Sequence, residues 1–158
     1  MDPETETRLH LVDGLHFAGT TPSGYVVDLD SNVDGSPVAP TPMELQLVTL
    51  GGCTGMDAVS ILRKMRQEIT GYDLRLTSTR AAEHPRVYTS ILLVHEVRGR
   101  AVSEANVRRA IGLTMTRYCP VFAMLHPKVE IREQYEITDE DSGLVTRGEV
   151  SIAEAGGP

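Results

Sequence analysis

The sequence predicts a single α+β domain, and three observations carry that prediction. Alternating polar and apolar residues mark strands in clusters, near residues 8–30 and 72–98, with one more at 128–138. Residues 41–70 and 103–125 instead repeat their apolar positions at helical spacing. Finally, the order is three strands, a broken helix, two strands, a helix and one strand, which is not the regular alternation of a doubly wound sheet. The length of 158 residues and 41% hydrophobic content suit one core of ordinary size.

Taken in order, residues 1–7 are an acidic lead-in. Arg8–Asp13 alternates as a strand, Asp13-Gly14 turns the chain, and Leu15–Gly19 resumes it. Thr21-Pro22-Ser23-Gly24 makes a second turn before Tyr25–Asp30. Ser31–Pro40 is rich in Gly, Pro, Asp and Ser and reads as a loop. Thr41-Pro42-Met43-Glu44 then supplies an N-cap, a proline at N1 and the acid of a capping box. Gly51-Gly52 is expected to interrupt this helix, with a second one starting near Met56 and stopping at Gly71. Tyr72–Ala82 and Arg86–Arg98 read as a hairpin around Glu83-His84-Pro85. Ser103 caps a helix that Tyr118-Cys119-Pro120 breaks, Val121–Leu125 is a short helix, and Lys128–Thr138 is a final strand. The domain is expected over residues 8–138, with 139–158 as a loose acidic tail.

The composition excludes several functions. Aromatics are 4% with no Trp, and the net charge is −7, so neither base stacking nor a phosphate grip is expected and nucleic acid is not a partner. No apolar run approaches the ~20 residues of a membrane span, and the N-terminus is not a signal peptide, so a cytoplasmic protein without membrane contact is expected. Charge is uneven within the body. Residues 9–62 hold no Lys or Arg and six acids, whereas 63–138 hold thirteen bases and eight acids.

Two cysteines are the candidates for chemistry. Cys53 follows the expected Gly-Gly break and precedes a helix, where free backbone N–H groups would favour a thiolate. Cys119 also sits at a junction, ahead of Pro120. A sulfenic acid on one could be trapped by the other as a disulfide, although 66 residues separate them. The alternative is two small buried hydrophobes. Glu44 either orients a cation near Cys53 or only closes the capping box. The five histidines show no metal-ligand spacing, and none is singled out as a partner for a catalytic cysteine. There is no phosphate loop or dinucleotide fingerprint.

Pro42-Met43-Glu44-Leu45, then Leu50-Gly51-Gly52-Cys53-Thr54-Gly55-Met56-Asp57, then Tyr118-Cys119-Pro120-Val121 resemble the OsmC/Ohr family of osmotically inducible and organic-hydroperoxide-resistance proteins. The likeness is closest to the OsmC-like branch and covers about residues 8–138. It implies an intertwined homodimer, with antiparallel sheets wrapped around central helices and active sites at the dimer interface. It also implies thiol-dependent reduction of organic hydroperoxides, or of hydrogen peroxide, in oxidative-stress defence. Cys53 matches the peroxidatic and Cys119 the resolving cysteine, a dithiol such as a lipoyl group, or a small thiol, is the implied reductant, and the resemblance implies that no metal or other cofactor is needed. The family's peroxidases hold an Arg from the N-terminal hairpin against a Glu. Here the hairpin carries Leu15-His16-Phe17 and no Arg, and Glu44 lies one position later than the family's Glu. Arg117, the partner chain or His16 would have to stabilise the thiolate instead. The missing Arg leaves two other readings. One is a non-catalytic homodimer binding a small apolar ligand. The other is a thiol–disulfide or persulfide-handling enzyme.

Overall fold

A computed structural model describes residues 4–31, 33 and 35–155. Contacts divide the chain into two compact units, residues 1–48 and 49–158, and the division falls inside a long helix.

The first unit is the expected meander. Strands β1 (Arg8–Asp13), β2 (His16–Thr20) and β3 (Val26–Leu29) pair antiparallel in that order. Gly14 takes φ +52 in the first turn, where a Cβ would be strained. The second turn is closed by Thr21, whose Oγ1 accepts from the Tyr25 amide at 3.1 Å. Ala18 is buried, but Leu9, Leu11, Val12, Tyr25 and Val26 are all exposed. The following loop is pinned by Asp30, whose carboxylate accepts from the amides of Ser31 (2.7 Å) and Val38 (2.9 Å). Asn32 and Asp34 of that loop, and the first three residues of the expected lead-in, lie outside the described residues.

Helix α1 runs from Pro42 to Lys64 without a break, which corrects the two-helix expectation. Its start is the expected capping box. The Thr41 amide and hydroxyl both donate to Glu44 Oε2 at 2.7 Å, and the Glu44 amide donates to Thr41 Oγ1 at 3.3 Å. The glycines serve packing. A Cβ on Gly51 would lie 3.0 Å from Leu76 Cδ1, and one on Gly55 would lie 2.7 Å from Leu74 Cδ1. Bare backbone at these two positions lets the helix settle onto the next strand, at a helix-propensity cost of roughly 1 kcal/mol per glycine. The stop is not Gly71. Arg66 takes φ +57 just past the helix, its amide donating to Arg63 O at 2.9 Å, and Gly71 lies within the following strand. At 23 residues with a mean hydropathy of 1.3 over its best 18-residue window, α1 is long and apolar enough to cross a membrane by length and composition alone. It carries Glu44 and Asp57, however, and Leu50, Thr54, Ala58 and Leu62 are buried in the protein itself.

The second unit is built on a sheet of four strands in the order β4 (Glu68–Arg80), β5 (Tyr88–Arg100), β6 (Glu130–Asp139), β7 (Val145–Val150). β4 and β5 form the expected hairpin. The sheet is not antiparallel throughout, because β6 runs parallel to β5. The crossover between them consists of α2 (Glu104–Leu113), a π-helical turn (Thr114–Tyr118) and α3 (Pro120–Leu125). Alternate residues of β5 (Ile91, Leu93, His95, Val97) and of β6 (Glu133, Tyr135, Ile137) are buried, as are Val107, Ala110 and Ile111 of α2. This core face packs on the helices: Arg108 of α2 donates to the Tyr135 hydroxyl at 3.1 Å.

The expected loose tail is also corrected. Asp139 anchors a turn, accepting from the Ser142 amide (2.8 Å) and hydroxyl (2.6 Å) and from the Ala101 amide (3.0 Å). These donors, the Ser142 hydroxyl foremost, hold its carboxyl down at about 2. The chain then returns as β7 along β6 and ends its described part in the short α4 (Ile152–Ala155). The acids that suggested a solvated tail are paired on the surface: Glu149 meets Arg132 at 2.7 Å and Glu154 meets Arg108 at 2.9 Å.

Candidate functional site

The cysteines separated by 66 residues in sequence meet in the second unit. Cys53 lies in the middle of α1, so its sulfur is not at a helix start and the dipole argument from the expected break falls away. Cys119 is placed by the crossover. The π-helical turn closes when the Cys119 amide donates to Thr114 O at 3.0 Å, and the chain then goes extended at Cys119 (φ −76, ψ 103). Pro120, which has no amide hydrogen to satisfy, opens α3. Cys119 is therefore the N-cap of α3, and its sulfur accepts from the Phe122 amide at 3.3 Å.

Both thiols are free. Cys53 Sγ, Cys119 Sγ and one carboxylate oxygen of Asp57 all lie within 4.8 Å of one another. Asp57 follows Cys53 by four residues, which puts the two side chains on one face of α1. The buried hydroxyl of Thr54 lies 3.6 Å from Cys119 Sγ. Cys119 is 3% exposed, whereas Cys53 and Asp57 are half-buried, so the cluster has a closed and an open side. Burial, and then the hydrogen bond with Cys53, push the Cys119 thiol up to about 11 against the pull of the Phe122 amide and Thr54.

The remaining residues read from the sequence have partners of their own. Glu44 is occupied in the capping box, whose Thr41 donors lower its carboxyl. His16 belongs to the first unit and pairs with Asp28 at 2.7 Å. Arg117 is exposed on the π-helical turn, its guanidinium 5.6 Å from the centre of the Tyr118 ring. Asp57 and Thr54 were not singled out from the sequence. The i, i+4 spacing of Cys53 and Asp57 was readable, but the expected Gly-Gly break hid the shared helix. Thr54 and Asp57 both stand in the segment that carries the family resemblance, but neither was given a role there.

A second polar cluster crosses the sheet. The Tyr72 hydroxyl and His95 Nδ1 are 2.5 Å apart, and His95 Nε2 lies 2.7 Å from Glu133 Oε2. His95 and Glu133 are fully buried, and Glu133 Oε1 has no hydrogen-bond partner among the described residues. Burial, then the Glu133 carboxylate, raise the Tyr72 phenol far above its ordinary value.

Comparison with known proteins agrees with this architecture. The family model described as OsmC-like protein matches residues 33–134. Protein YhfA of Escherichia coli K12 is 41% identical over 132 residues, covering 84% of this chain and 97% of the relative. The crystal structure of an OsmC-like protein from Mycoplasma pneumoniae superposes with a TM-score of 0.75 at 17% identity, over 87% of this chain and 99% of that one. The organic hydroperoxide resistance protein OhrB of Bacillus subtilis shares the fold at a TM-score of 0.57 and 12% identity, over 84% and 97%.

Proposed function

The chain belongs to the OsmC-like family, and from that premise we propose that it is a thiol-dependent peroxidase acting through Cys53 and Cys119. The observation that carries the reading is the pair of free sulfurs within 4.8 Å, one half-open and one sealed. The half-exposed Cys53 attacks a hydroperoxide. Its sulfur bonds the distal oxygen, the O–O bond breaks, and the alcohol leaves with a proton. Cys119 then attacks the sulfenic sulfur, water leaves, and a disulfide remains. An external dithiol, lipoyl-type or small, returns both thiols by exchange. Organic hydroperoxides are the proposed substrates, and sharing the fold of OhrB of Bacillus subtilis, an organic hydroperoxide resistance protein, supports that choice. Arg117, or His16, is the proposed cation beside the Cys53 thiolate, and Glu44 is assigned to the helix cap. Alkylation of Cys53 at an unchanged rate in both Arg117→Ala and His16→Ala would remove that pair of candidates.

A homodimer belongs to the same proposal. Its support is apolar surface left open: Leu9, Leu11, Val12 and Val26 on the meander, and Val48 (67% exposed) and Met56 (71%) on α1. A three-stranded meander with so little buried surface needs covering by something else. The proposed location is the cytoplasm, where the thiols stay reduced, and the proposed role is oxidative-stress defence.

The test is intact mass after one equivalent of cumene hydroperoxide, with and without Cys53→Ser. Loss of two hydrogens within seconds, mapped to a Cys53–Cys119 bond and absent in the variant, is expected. Unchanged mass over many minutes would sink the peroxidase reading. The absence of any Lys or Arg in residues 9–62 would then favour a dimer that binds a small apolar ligand, or an enzyme exchanging disulfides or persulfides.

A further inference from the structure

The cluster of Cys53, Asp57 and Cys119 has a donor set that peroxide reduction does not use in full. Two sulfurs and a carboxylate oxygen converge within 4.8 Å of one another. That is a mixed set of soft and hard donors, suited to a borderline cation such as Zn2+. A tetrahedral zinc with Zn–S bonds of about 2.3 Å holds its sulfurs roughly 3.8 Å apart. Side-chain rotation of the half-buried Cys53 and Asp57 toward the fixed Cys119 covers the difference. Their i, i+4 placement on α1 gives two donors from one rigid face, and the N-cap of α3 gives the third. The outer contacts needed to aim the sealed sulfur are already present, namely the Phe122 amide at 3.3 Å and the Thr54 hydroxyl at 3.6 Å. Among the described residues, Asp57 enters no ion pair, so its carboxylate is not committed to a lysine, arginine or histidine.

We propose that the reduced chain binds one Zn2+ through Cys53 Sγ, Cys119 Sγ and the Asp57 carboxylate, with water in the fourth position on the open side. Binding replaces the two S–H protons, which pass to the buffer, and strips the ion of all but one of its waters. No oxidation state changes. The same sulfurs cannot hold the ion and form a disulfide, so zinc and peroxide compete for one site. The metal-bound form is a protected form of the thiols. This inference goes beyond the peroxidase reading and does not depend on it.

The test is titration of reduced, untagged protein with Co2+ as a spectroscopic stand-in, followed by displacement with Zn2+. One equivalent per chain is expected to give thiolate-to-cobalt charge-transfer absorption with the intense d–d bands of four-coordination. Cys53→Ser and Cys119→Ser are expected to lose the charge-transfer band. Asp57→Asn, nearly the same shape, is expected to weaken binding at least about tenfold, the lower end of what a metal-site partner contributes. Circular dichroism of each variant separates lost ligation from lost fold, and wild-type protein alkylated with iodoacetamide gives the same negative without any mutation. No charge-transfer absorption in folded, reduced wild type would overturn the proposal, as would undiminished affinity in Asp57→Asn. Peroxide consumption by the metal-free protein is read separately, so either conclusion can fail alone.

Discussion

The second unit holds two polar clusters, and they are built to opposite specifications. The thiol cluster sits where a helix face meets a helix cap, with one sealed sulfur, one half-open sulfur and a carboxylate within reach. The Tyr72–His95–Glu133 chain lies across β4, β5 and β6, with its inner two members fully buried. In the first, the contacts are to sulfur, a weak acceptor, at 3.3 and 3.6 Å, and the three donor atoms gather within 4.8 Å of one another. In the second, the contacts are 2.5 and 2.7 Å. Groups that must exchange partners need slack and access. Groups that fix the sheet need neither, and breaking them is costly because whatever remains is stranded away from water.

The largest expected effect separates the two at once. Cys53→Ser should cut hydroperoxide turnover by at least about three orders of magnitude, the scale of removing a covalent nucleophile, with little change in melting temperature. His95→Leu should do the reverse. It leaves Glu133 with neither oxygen paired, and about 3–5 kcal/mol of stability should be lost in urea unfolding while peroxide reactivity per folded molecule stays intact. The triple replacement Tyr72→Phe, His95→Leu, Glu133→Leu should recover most of that loss, since an apolar filling of similar volume suits a buried site as well as a polar one. If the triple variant unfolds as readily as His95→Leu, the polar chain is contributing more than its own satisfaction.

A smaller effect comes from Cys119. Its folded-state pKa is raised to about 11, against roughly 8.5 for an unfolded cysteine. Between those values the unfolded chain ionises and the folded one does not. Stability is therefore full below about pH 8.5 and falls as the pH rises toward 11, by at most about 3 kcal/mol at about 1.4 kcal/mol per pH unit. The urea midpoint measured across that window should decline less steeply in Cys119→Ala. Smallest is the helix cap. Glu44→Ala should cost about 0.5–1 kcal/mol through lost capping and leave Cys53 alkylation unchanged. A slowed alkylation would instead return Glu44 to the chemistry.

The same contrast explains what was legible. The meander of 8–30 could be placed from alternation alone, because exposed strands with tight Gly turns advertise themselves locally. Thr41, Pro42 and Glu44 marked the start of α1 for the same reason: capping is chemistry between near neighbours. The Gly51-Gly52 pair misled because the purpose of Gly51 lies on Leu76, in a strand the local pattern cannot see. The return of the chain as β7 was hidden likewise, since its pairing partner β6 and its salt-bridge partners Arg132 and Arg108 lie elsewhere in the sequence. The cysteines were found, but as neighbours only through the family resemblance. His95 and Glu133 passed as ordinary polar residues of two strands. Only the parallel register, which sets Leu93 beside Glu133 and His95 beside Tyr135, makes them partners.

The cap of α3 carries a last consequence. The acceptor for the Phe122 amide is a sulfur atom, not the usual oxygen. Whatever happens to that sulfur, whether bonding to Cys53, ligating an ion or being alkylated, is felt by a backbone N–H that does no chemistry itself. The Phe122 amide resonance and its exchange with solvent deuterium are thus a built-in gauge of the thiol's state, readable without a label or a substrate.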